Sequence, residues 1–282
     1  MKRNTNVVRT KQEVLGWAKE LEENSLTLKE IDKKYQTDSS YQFKKFGIKP
    51  NLTKNKLRKG RYKLYNTFKE NLGAFEAYYL GWLLSDGTLN PKHYQTKITV
   101  KKSDVRILEV LKNKIMPDSK IYTYKNNKNF IINSKEFYET MLSLGVEPTK
   151  TLKELKIPTS IPKQHLRHFI RGYFEGDGSV FYDKKALRFN ICSPTKNILL
   201  EIQSILTEEG FNVKLNVEKR KGKVMNIPGG KTCIAKHDMY RIFIRQKKDF
   251  VNLYNYLYED CGEFYLKRKK LILEQYVNTE LT

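Results

Sequence analysis

The sequence is poor in the residues that form disulfides and metal–thiolate sites. Its 282 residues include three cysteines, Cys192, Cys233 and Cys261, and four histidines, with no CxxC or HxxxH spacing among them. Three cysteines cannot all pair within one chain, which favours a reducing setting over a disulfide-built secreted domain. We therefore expect no structural zinc site, and we expect most of the histidines to be ordinary surface or partly buried side chains.

Long apolar stretches are also missing. No run of about 18 apolar residues is present, so the sequence predicts no transmembrane helix. The first twelve residues contain no apolar segment of the kind that marks a secretory signal. We expect an intracellular protein without a membrane partner, located in the cytoplasm of a bacterium or phage-infected host or in an organellar matrix.

Acidic residues are scarce relative to basic ones. The chain has 31 Asp and Glu against 54 Lys and Arg, a formal net charge of +23. An excess of this size predicts a polyanionic partner, because Lys and Arg neutralise phosphates with release of counterions. No acidic residue occurs between Ser39 and Lys69. Ten basic residues lie in that stretch: Lys44, Lys45, Lys49, Lys54, Lys56, Arg58, Lys59, Arg61, Lys63 and Lys69.

The first fifty residues show the pattern of a small helical module. Lys11 to Glu23 has apolar residues at helical spacing, a second helix follows Thr27, and a third runs from Ser39 or Ser40 to Phe46. Two helices joined by a short turn are typical of a helix-turn-helix, although a generic three-helix unit gives the same pattern. We assign residues 1–52 to this module and 53–70 to a basic linker. The expected phosphate contacts are Lys44, Lys45, Arg58 and Arg61.

An internal repeat organises the rest of the chain. The segment from Tyr79 to Gly87 (YLGWLLSDG) is matched by Ile170 to Gly178 (IRGYFEGDG), and Asp177 follows Asp86 by 91 residues (177 − 86). The same spacing pairs further apolar positions, such as Ile98 with Phe189 and Ile107 with Ile198. The residue pattern of each copy predicts a helix that ends at Asp-Gly, followed by a hairpin, a helix, two strands and a closing helix. We expect an α+β protein with subdomains at 71–160 and 161–282.

The late strand of the second copy is predicted to be displaced. Phe130 is paired with Phe243, 113 residues further on, and the extra length fits a Lys-rich hairpin over about residues 219–237. Within each copy, helices are expected to cover one face of an antiparallel sheet.

The two nine-residue segments resemble the paired motifs of LAGLIDADG homing endonucleases in their single-chain form. This resemblance covers about residues 71–275 and implies two pseudo-symmetric αββαββα subdomains with saddle-shaped sheets lying on DNA. It also implies divalent metal, Mg²⁺ or Mn²⁺, held by Asp86 and Asp177 with the adjoining Gly87 and Gly178. The implied protein is a monomer with internal pseudo-twofold symmetry.

Elementary chemistry supports the same site. Glycine in mid-helix costs roughly 0.5–1 kcal/mol relative to alanine, so Gly81 and Gly172 indicate two helix backbones in close approach. Asp86 and Asp177 lie at helix C-termini, where the helix dipole disfavours a carboxylate. A bound cation relieves that cost, and hard carboxylate oxygens suit Mg²⁺. The alternative to a metal site is that each Asp-Gly only marks the end of a helix.

Basic residues around the repeat supply the remaining candidates. Lys102, after the first hairpin, is the predicted catalytic lysine, with Lys135 and Lys248 as the alternative pair. Arg171 and Glu175 are interpreted as a surface ion pair. Strand residues that can reach DNA in a groove are Lys97, Lys101, Arg188, Arg241 and Arg245.

These observations together predict a Mg²⁺-dependent, site-specific endonuclease that hydrolyses both strands of a long DNA target, as in intron homing. Two alternatives stay open at this point. One is a DNA-binding transcription regulator on the same scaffold, and the other is an intron RNA maturase. Binding of intron RNA in preference to duplex DNA distinguishes the maturase.

Overall fold

The computed structural model describes residues 8–23, 26, 28–50, 62–148, 155–227 and 230–280. The chain divides into two compact units, Met1–Leu64 and Tyr65–Thr282. Two basic residues expected to contact DNA, Arg58 and Arg61, lie outside the described residues, as does Thr27, after which the second helix was expected to begin.

The N-terminal unit contains the three helices that the sequence predicts, α1 (Lys11–Glu23), α2 (Leu28–Tyr35) and α3 (Ser39–Lys45). Apolar residues on one side of each helix form a shared core, and the Trp17 ring stacks on Tyr35 at 5.0 Å. Asp38 begins α3, since its carboxylate accepts the N–H of Tyr41 at 3.0 Å. The helix ends at Lys45, one residue earlier than expected.

The second unit contains the repeated fold. Its first copy consists of α4 (Ala74–Ser85), β1 (Gly87–Asn90), β2 (Gln95–Lys101), α5 (Val105–Ile115), β3 (Ile121–Tyr124), β4 (Asn127–Asn133) and α6 (Lys135–Ser143). Its second copy consists of α7 (Leu166–Asp177), β5 (Gly178–Asp183), β6 (Ala186–Ser193), α8 (Lys196–Glu208), β7 (Lys214–Glu218), β8 (Val224–Ile227), β9 (Lys231–Ile234), β10 (Met239–Ile244) and α9 (Lys247–Tyr258). The predicted αββαββα order is confirmed in both copies.

Both copies build a four-stranded antiparallel sheet with equivalent topology, β1-β2-β4-β3 and β5-β6-β10-β7. The strands β8 and β9 form a separate hairpin between β7 and β10. We call residues 219–238 the basic arm, which corresponds to the Lys-rich hairpin predicted from the sequence. The first copy has no counterpart to it, because β3 and β4 are joined by a tight turn.

Strand register corrects two of the predicted pairings. Gly87 pairs with Ile98, whereas Gly178 pairs with Ile191, so the equivalent of Ile98 is Ile191 and not Phe189. Ile98 then pairs with Phe130, and Ile191 pairs with Ile242, so Phe130 corresponds to Ile242, 112 residues on (242 − 130), and not to Phe243. The β5–β6 hairpin is longer than the β1–β2 hairpin, so the residues of β6 are shifted relative to the 91-residue spacing. The 91-residue spacing returns in the next helix, where Ile107 and Ile198 are both buried.

A further helix, α10 (Lys267–Glu280), follows the second copy and lies outside the repeat. Leu273, Tyr276 and Val277 are buried on one of its faces, and α10 packs on α9 and β5. This helix was not predicted from the sequence. In the described part of the chain, no helix combines the length and apolar character needed to cross a bilayer.

Candidate functional site

The two motif helices, α4 and α7, pack directly against each other at their glycines. A Cβ on Gly81 would lie 2.6 Å from Tyr173 N and 3.0 Å from Gly172 C, and it would also collide with Phe169 O. A Cβ on Gly172 would lie 3.2 Å from Trp82 N and collide with the Tyr78 carbonyl. Neither position therefore accommodates a side chain, as expected from the sequence.

The next contact along the helices brings the acidic residues together. Ser85 meets Gly176, where a Cβ would lie 2.6 Å from Ser85 Cβ and 3.5 Å from Asp86 N. Ser85 and Gly176 are 91 residues apart, as are Gly81 and Gly172, so equivalent residues face each other across a local twofold axis. Asp86 and Asp177 follow at once on either side of that axis. The structure thus places the backbones that carry the two acids next to each other.

The glycine after each aspartate turns the chain tightly onto the motif helix. A Cβ on Gly87 would lie 2.5 Å from Leu83 Cδ1, and one on Gly178 would lie 2.6 Å from Phe174 O. These glycines direct the chain from helix into β1 and β5. The two acids are therefore held at the junction of a helix and a strand in each copy.

Arg171 and Glu175 do not form the surface ion pair that the sequence suggested. Both side chains are buried at 1% exposure, because α7 is covered by the end of α9 and the segment that follows it. Arg171 donates to the carbonyls of Leu257 and Phe264, at 2.8 and 2.9 Å. Glu175 accepts the hydroxyl of Tyr78 at 2.5 Å, which joins the two motif helices. Burial raises the pKa of Glu175, with Tyr78 and Arg171 acting against that shift.

A buried lysine from α10, Lys269, lies against the C-terminal end of α7. Burial lowers the pKa of Lys269 to about 8, and the charge of Arg268 adds to that effect. The carboxylates of Glu175, Asp86 and Asp177 act in the opposite direction. Both motif acids are thus within electrostatic range of one ammonium group.

A cleft of about 400 Å³ opens beside Asp86. Its lining combines acids, bases and the end of α7: Asp86, Thr99, Lys101, Asp104, Asn127, Gly176 and Arg268 are among the residues that form it. Arg268 binds the carboxylate of Asp104 at 3.0 Å. Lys101, expected to contact DNA, lines this cleft, whereas Lys102 is not among the described residues that do.

Family comparison agrees with this geometry. Residues 75–156 match the family described as a WhiA LAGLIDADG-like domain, and residues 164–257 match the family described as a LAGLIDADG-like domain. Each match contains one motif helix and its acid. The chain is a two-motif LAGLIDADG protein.

Individual proteins resemble this LAGLIDADG chain only distantly. A curated relative, an A-type ATP synthase subunit of Pyrococcus abyssi, is 24% identical over 171 residues, which cover 58% of this chain and 16% of that protein. The chain thus spans about a sixth of that relative's length. Mesophilic variants of the homing endonuclease I-DmoI share 16% identity, with a TM-score of 0.42, over 67% of this chain and 92% of theirs. The N-terminal LAGLIDADG domain of DUF199/WhiA shares 14% identity, with a TM-score of 0.43, over 68% and 85%.

The donor set of this LAGLIDADG site fits a hard divalent cation. Two aspartates are carried on adjacent backbones, and Mg²⁺ is typically bound through one or two carboxylates together with substrate phosphates. Among the described residues, no three His, Cys, Asp or Glu side chains converge as metal ligands. A cation held by Asp86 and Asp177 would take the rest of its ligands from phosphate oxygens and water. The Gly178 carbonyl, expected as a further ligand, accepts a hydrogen bond from Lys269 at 2.5 Å.

The lysines predicted to assist the site lie on the surface. Lys102 is exposed in a short 3₁₀ turn, and its backbone N–H donates to Asn126 O at 3.0 Å. Lys135 is paired with Glu139 at 3.6 Å, and Lys248 is exposed on α9. Lys102 stays a prediction as the catalytic lysine, while the structure adds Lys101, Arg268 and Lys269 near the acids. Lys269 falls in register with buried Leu273, Tyr276 and Val277, and a lysine at an apolar helix position was the signal that could have identified it.

The open faces of the two sheets carry the predicted strand residues. On β2, Lys97, Thr99 and Lys101 alternate with buried residues, as expected. On the second sheet, two of the predicted arginines already have carboxylate partners, Arg188 with Asp183 at 3.3 Å and Arg241 with Glu218 at 3.6 Å. Arg245 is exposed and lies over the Phe243 ring at 4.4 Å. These pairs would have to exchange partners for the arginines to bind phosphate.

Proposed function

We propose that this LAGLIDADG protein is a divalent-metal-dependent, site-specific DNA endonuclease that hydrolyses both strands of a duplex. The observation that carries the proposal is the acid pair. Two aspartates from equivalent positions of the repeat are brought together by glycine-mediated helix contact. Such an arrangement costs stability, because like charges repel and both lie at negative helix ends. That cost is expected where a cation and a phosphate use the pair.

Asp86 and Asp177 would hold the metal through their carboxylates. When bound, the cation would supply Lewis-acid stabilisation of the phosphate and a more acidic water. The protein residues fix the position of the acids, and Arg268 and Lys101 place positive charge along the cleft where a phosphate would lie. The twofold relation of the acids matches the antiparallel strands of a duplex.

Charge supports DNA as the substrate. The net charge of +23 is spread over both units, and basic side chains follow the open face of β2. Lys44 and Lys45 are exposed in the last turn of α3, on the same side as the exposed ring of Tyr41. The basic arm adds Lys221, Lys223 and Lys236 at exposed positions of the second copy. Phosphate contacts of this kind supply affinity, whereas base-edge contacts supply sequence preference.

The proposal is tested by incubating the full chain with Mg²⁺ and a pool of genomic or randomised duplex DNA, then sequencing the broken ends. The expected result is a small set of related sites with paired breaks on the two strands. The Asp86→Asn, Asp177→Asn double variant in the same pool is the matched control and should yield no such ends.

The outcome also separates the alternatives. Tight, sequence-selective binding without breaks in Mg²⁺ or Mn²⁺ would indicate a DNA-binding regulator on the LAGLIDADG scaffold. Stronger binding to structured intron RNA than to duplex DNA would indicate a maturase. Either result would contradict the proposed nuclease.

A further inference from the structure

The side chain of Lys269 is fully engaged at the C-terminal end of the second motif helix. Its Nζ donates to the carbonyls of Phe174 and Glu175 at 2.8 Å each, and to that of Gly178 at 2.5 Å. An ammonium has three donors, so all of them are used. Lys269 is 2% exposed. The three carbonyls bracket Asp177, so the lysine fixes the turn that carries this acid.

The charge of Lys269 needs compensation in this environment. A buried ammonium is costly unless it is paired or hydrogen-bonded. The carbonyls at the end of α7 supply partial negative charge. The acidic groups whose charge acts on the lysine are Glu175, Asp86 and Asp177, and one Glu175 oxygen already accepts from Tyr78. The carboxylates of Asp86 and Asp177 thus act on Lys269 in the direction that favours its charged form.

The residue before Lys269 reaches the opposite copy. Arg268 binds the carboxylate of Asp104 at 3.0 Å, and Asp104 immediately precedes α5 of the first copy. Neighbouring residues of α10 therefore attach to both copies, Lys269 to the turn that carries Asp177 and Arg268 to Asp104. A helix outside the repeat connects both halves at the point where they must stay in register.

We propose that Lys269 is a positioning residue for the acid pair: its ammonium fixes the turn that carries Asp177 and balances the negative charge of Asp86 and Asp177. The consequence for DNA cleavage rests on the proposed function. The charge coupling itself does not, because it is a property of the folded protein without DNA.

The coupling is tested by urea unfolding of the full chain in EDTA, followed through Trp82 fluorescence. Four proteins form a cycle: wild type, Lys269→Met, the Asp86→Asn, Asp177→Asn double variant, and the combination. Lost carbonyl hydrogen bonds contribute equally with and without the acids, so they cancel in the cycle. The Asp86→Asn, Asp177→Asn substitutions should raise the urea concentration at the unfolding midpoint more, or lower it less, when Lys269 is replaced by methionine than when Lys269 is present. Lys267→Met, an exposed lysine on the same helix, should show no such coupling.

Additive effects would overturn the proposal, as would coupling that appears with Glu175→Gln in place of the two motif acids. If Lys269→Met does not fold alone, the amide substitutions become a rescue test. Restored folding supports the proposal. If the two amide substitutions do not restore folding, or if Glu175→Gln alone restores it, the role of Lys269 is purely structural and the proposal is overturned.

Cleavage gives an independent readout. Single-turnover cleavage by Lys269→Met should be about 100-fold slower, the loss expected when reacting groups shift by about 1 Å. Duplex affinity measured in EDTA should stay close to that of wild type, and Lys267→Met should cleave normally. An unchanged rate would contradict the positioning role. Charge coupling in a wild-type protein that cuts no DNA would contradict the proposed function and leave the coupling standing.

Discussion

Gly81 and Gly172 meet where the two motif helices cross, and neither position has room for a methyl group. This contact fixes the separation of the helices, and therefore the separation of the aspartates about one and a half turns further on. The stability of the helix crossing and the proposed active site thus depend on the same pair of residues. The arrangement explains why the sequence keeps glycine at the centre of two otherwise buried helices.

Alanine at Gly81 or Gly172 should destabilise the second unit. Overpacking a tight contact typically costs about 1–3 kcal/mol, and here the obstacle is backbone, which cannot rotate away. Urea unfolding followed by Trp82 fluorescence measures this in a Trp17→Phe background, because Trp17 would otherwise add a signal from the other unit. Gly16→Ala is the control: this helical glycine has open space, and alanine there should stabilise α1 by about 0.5–1 kcal/mol. Equal effects at Gly16 and Gly81 would show that the crossing is loose.

The exposed lysines of α3 should contribute to DNA affinity through phosphate. Replacing Lys44 and Lys45 by alanine should lower the slope of log affinity against log salt concentration by about 1.8, since each phosphate contact contributes about 0.9. Fluorescence anisotropy over a salt series measures the slope. Lys11→Ala with Lys19→Ala removes the same charge from α1 and should change the slope less. If the two double variants gave the same slope of log affinity against log salt concentration, α3 would have no special contact with DNA.

His168 should make the second unit sensitive to acid. Burial and the nearby Arg171 guanidinium lower its pKa from 6.5 to about 3, and Arg171 donates to its ring at 2.9 Å. A histidine with a depressed pKa in the folded state is protonated first in the unfolded chain. Its stabilising contribution is therefore present above pH 6.5 and is lost as the pH falls from 6.5 towards 3.

His168→Gln should flatten the decline in unfolding free energy between about pH 7 and about pH 5, because glutamine does not titrate. Urea unfolding at a series of pH values measures this. His93→Gln, at an exposed position of the same unit, is the control and should keep the wild-type pH profile. A parallel decline in wild type and His168→Gln would contradict the assignment.

The basic arm should make the DNA footprint asymmetric, since only the second copy has one. Asp238 anchors its base by accepting the backbone N–H groups of Arg220 and Lys221, at 2.9 and 3.0 Å. Alanine at Lys221, Lys223 and Lys236 should shorten hydroxyl-radical protection on one side of the cleavage site and leave the other side unchanged. Symmetric loss, or no loss, would show that the arm does not lie along the duplex.

The repeat and the helix junction could be predicted from sequence because their signals are local and duplicated. A glycine and an Asp-Gly at the same spacing in each copy identify both motif helices, and apolar spacing gives the helix boundaries to within one or two residues at α1 and α3. The strand register was harder to predict from the sequence. The hairpin of the second copy is longer than that of the first, so the constant 91-residue spacing misplaced Phe189, and the 113-residue spacing chosen for the late strand misplaced Phe243 by one residue.

The surroundings of the acids could not be derived in the same way. Burial of Arg171 and Glu175 depends on the chain after α9, which a helix periodicity does not describe. Lys269 and Arg268 come from a helix outside the repeat, so no symmetry argument points to them. Lys102 was predicted as the catalytic lysine because it follows the hairpin, whereas in the structure Lys101 lines the cleft beside Asp86. The domain boundaries and the roles of the individual site residues stay predictions.

The measurement that tests the central claim most directly follows the two strands of a cleaved target separately, in wild type, Asp86→Asn and Asp177→Asn. Each single variant should lose double-strand cleavage by about 100-fold or more, with duplex affinity retained because the positive surface is unchanged. Asp118→Asn, at an exposed position of the first copy, should cut both strands normally. Wild-type rates on both strands in both single variants would contradict an active site built on Asp86 and Asp177.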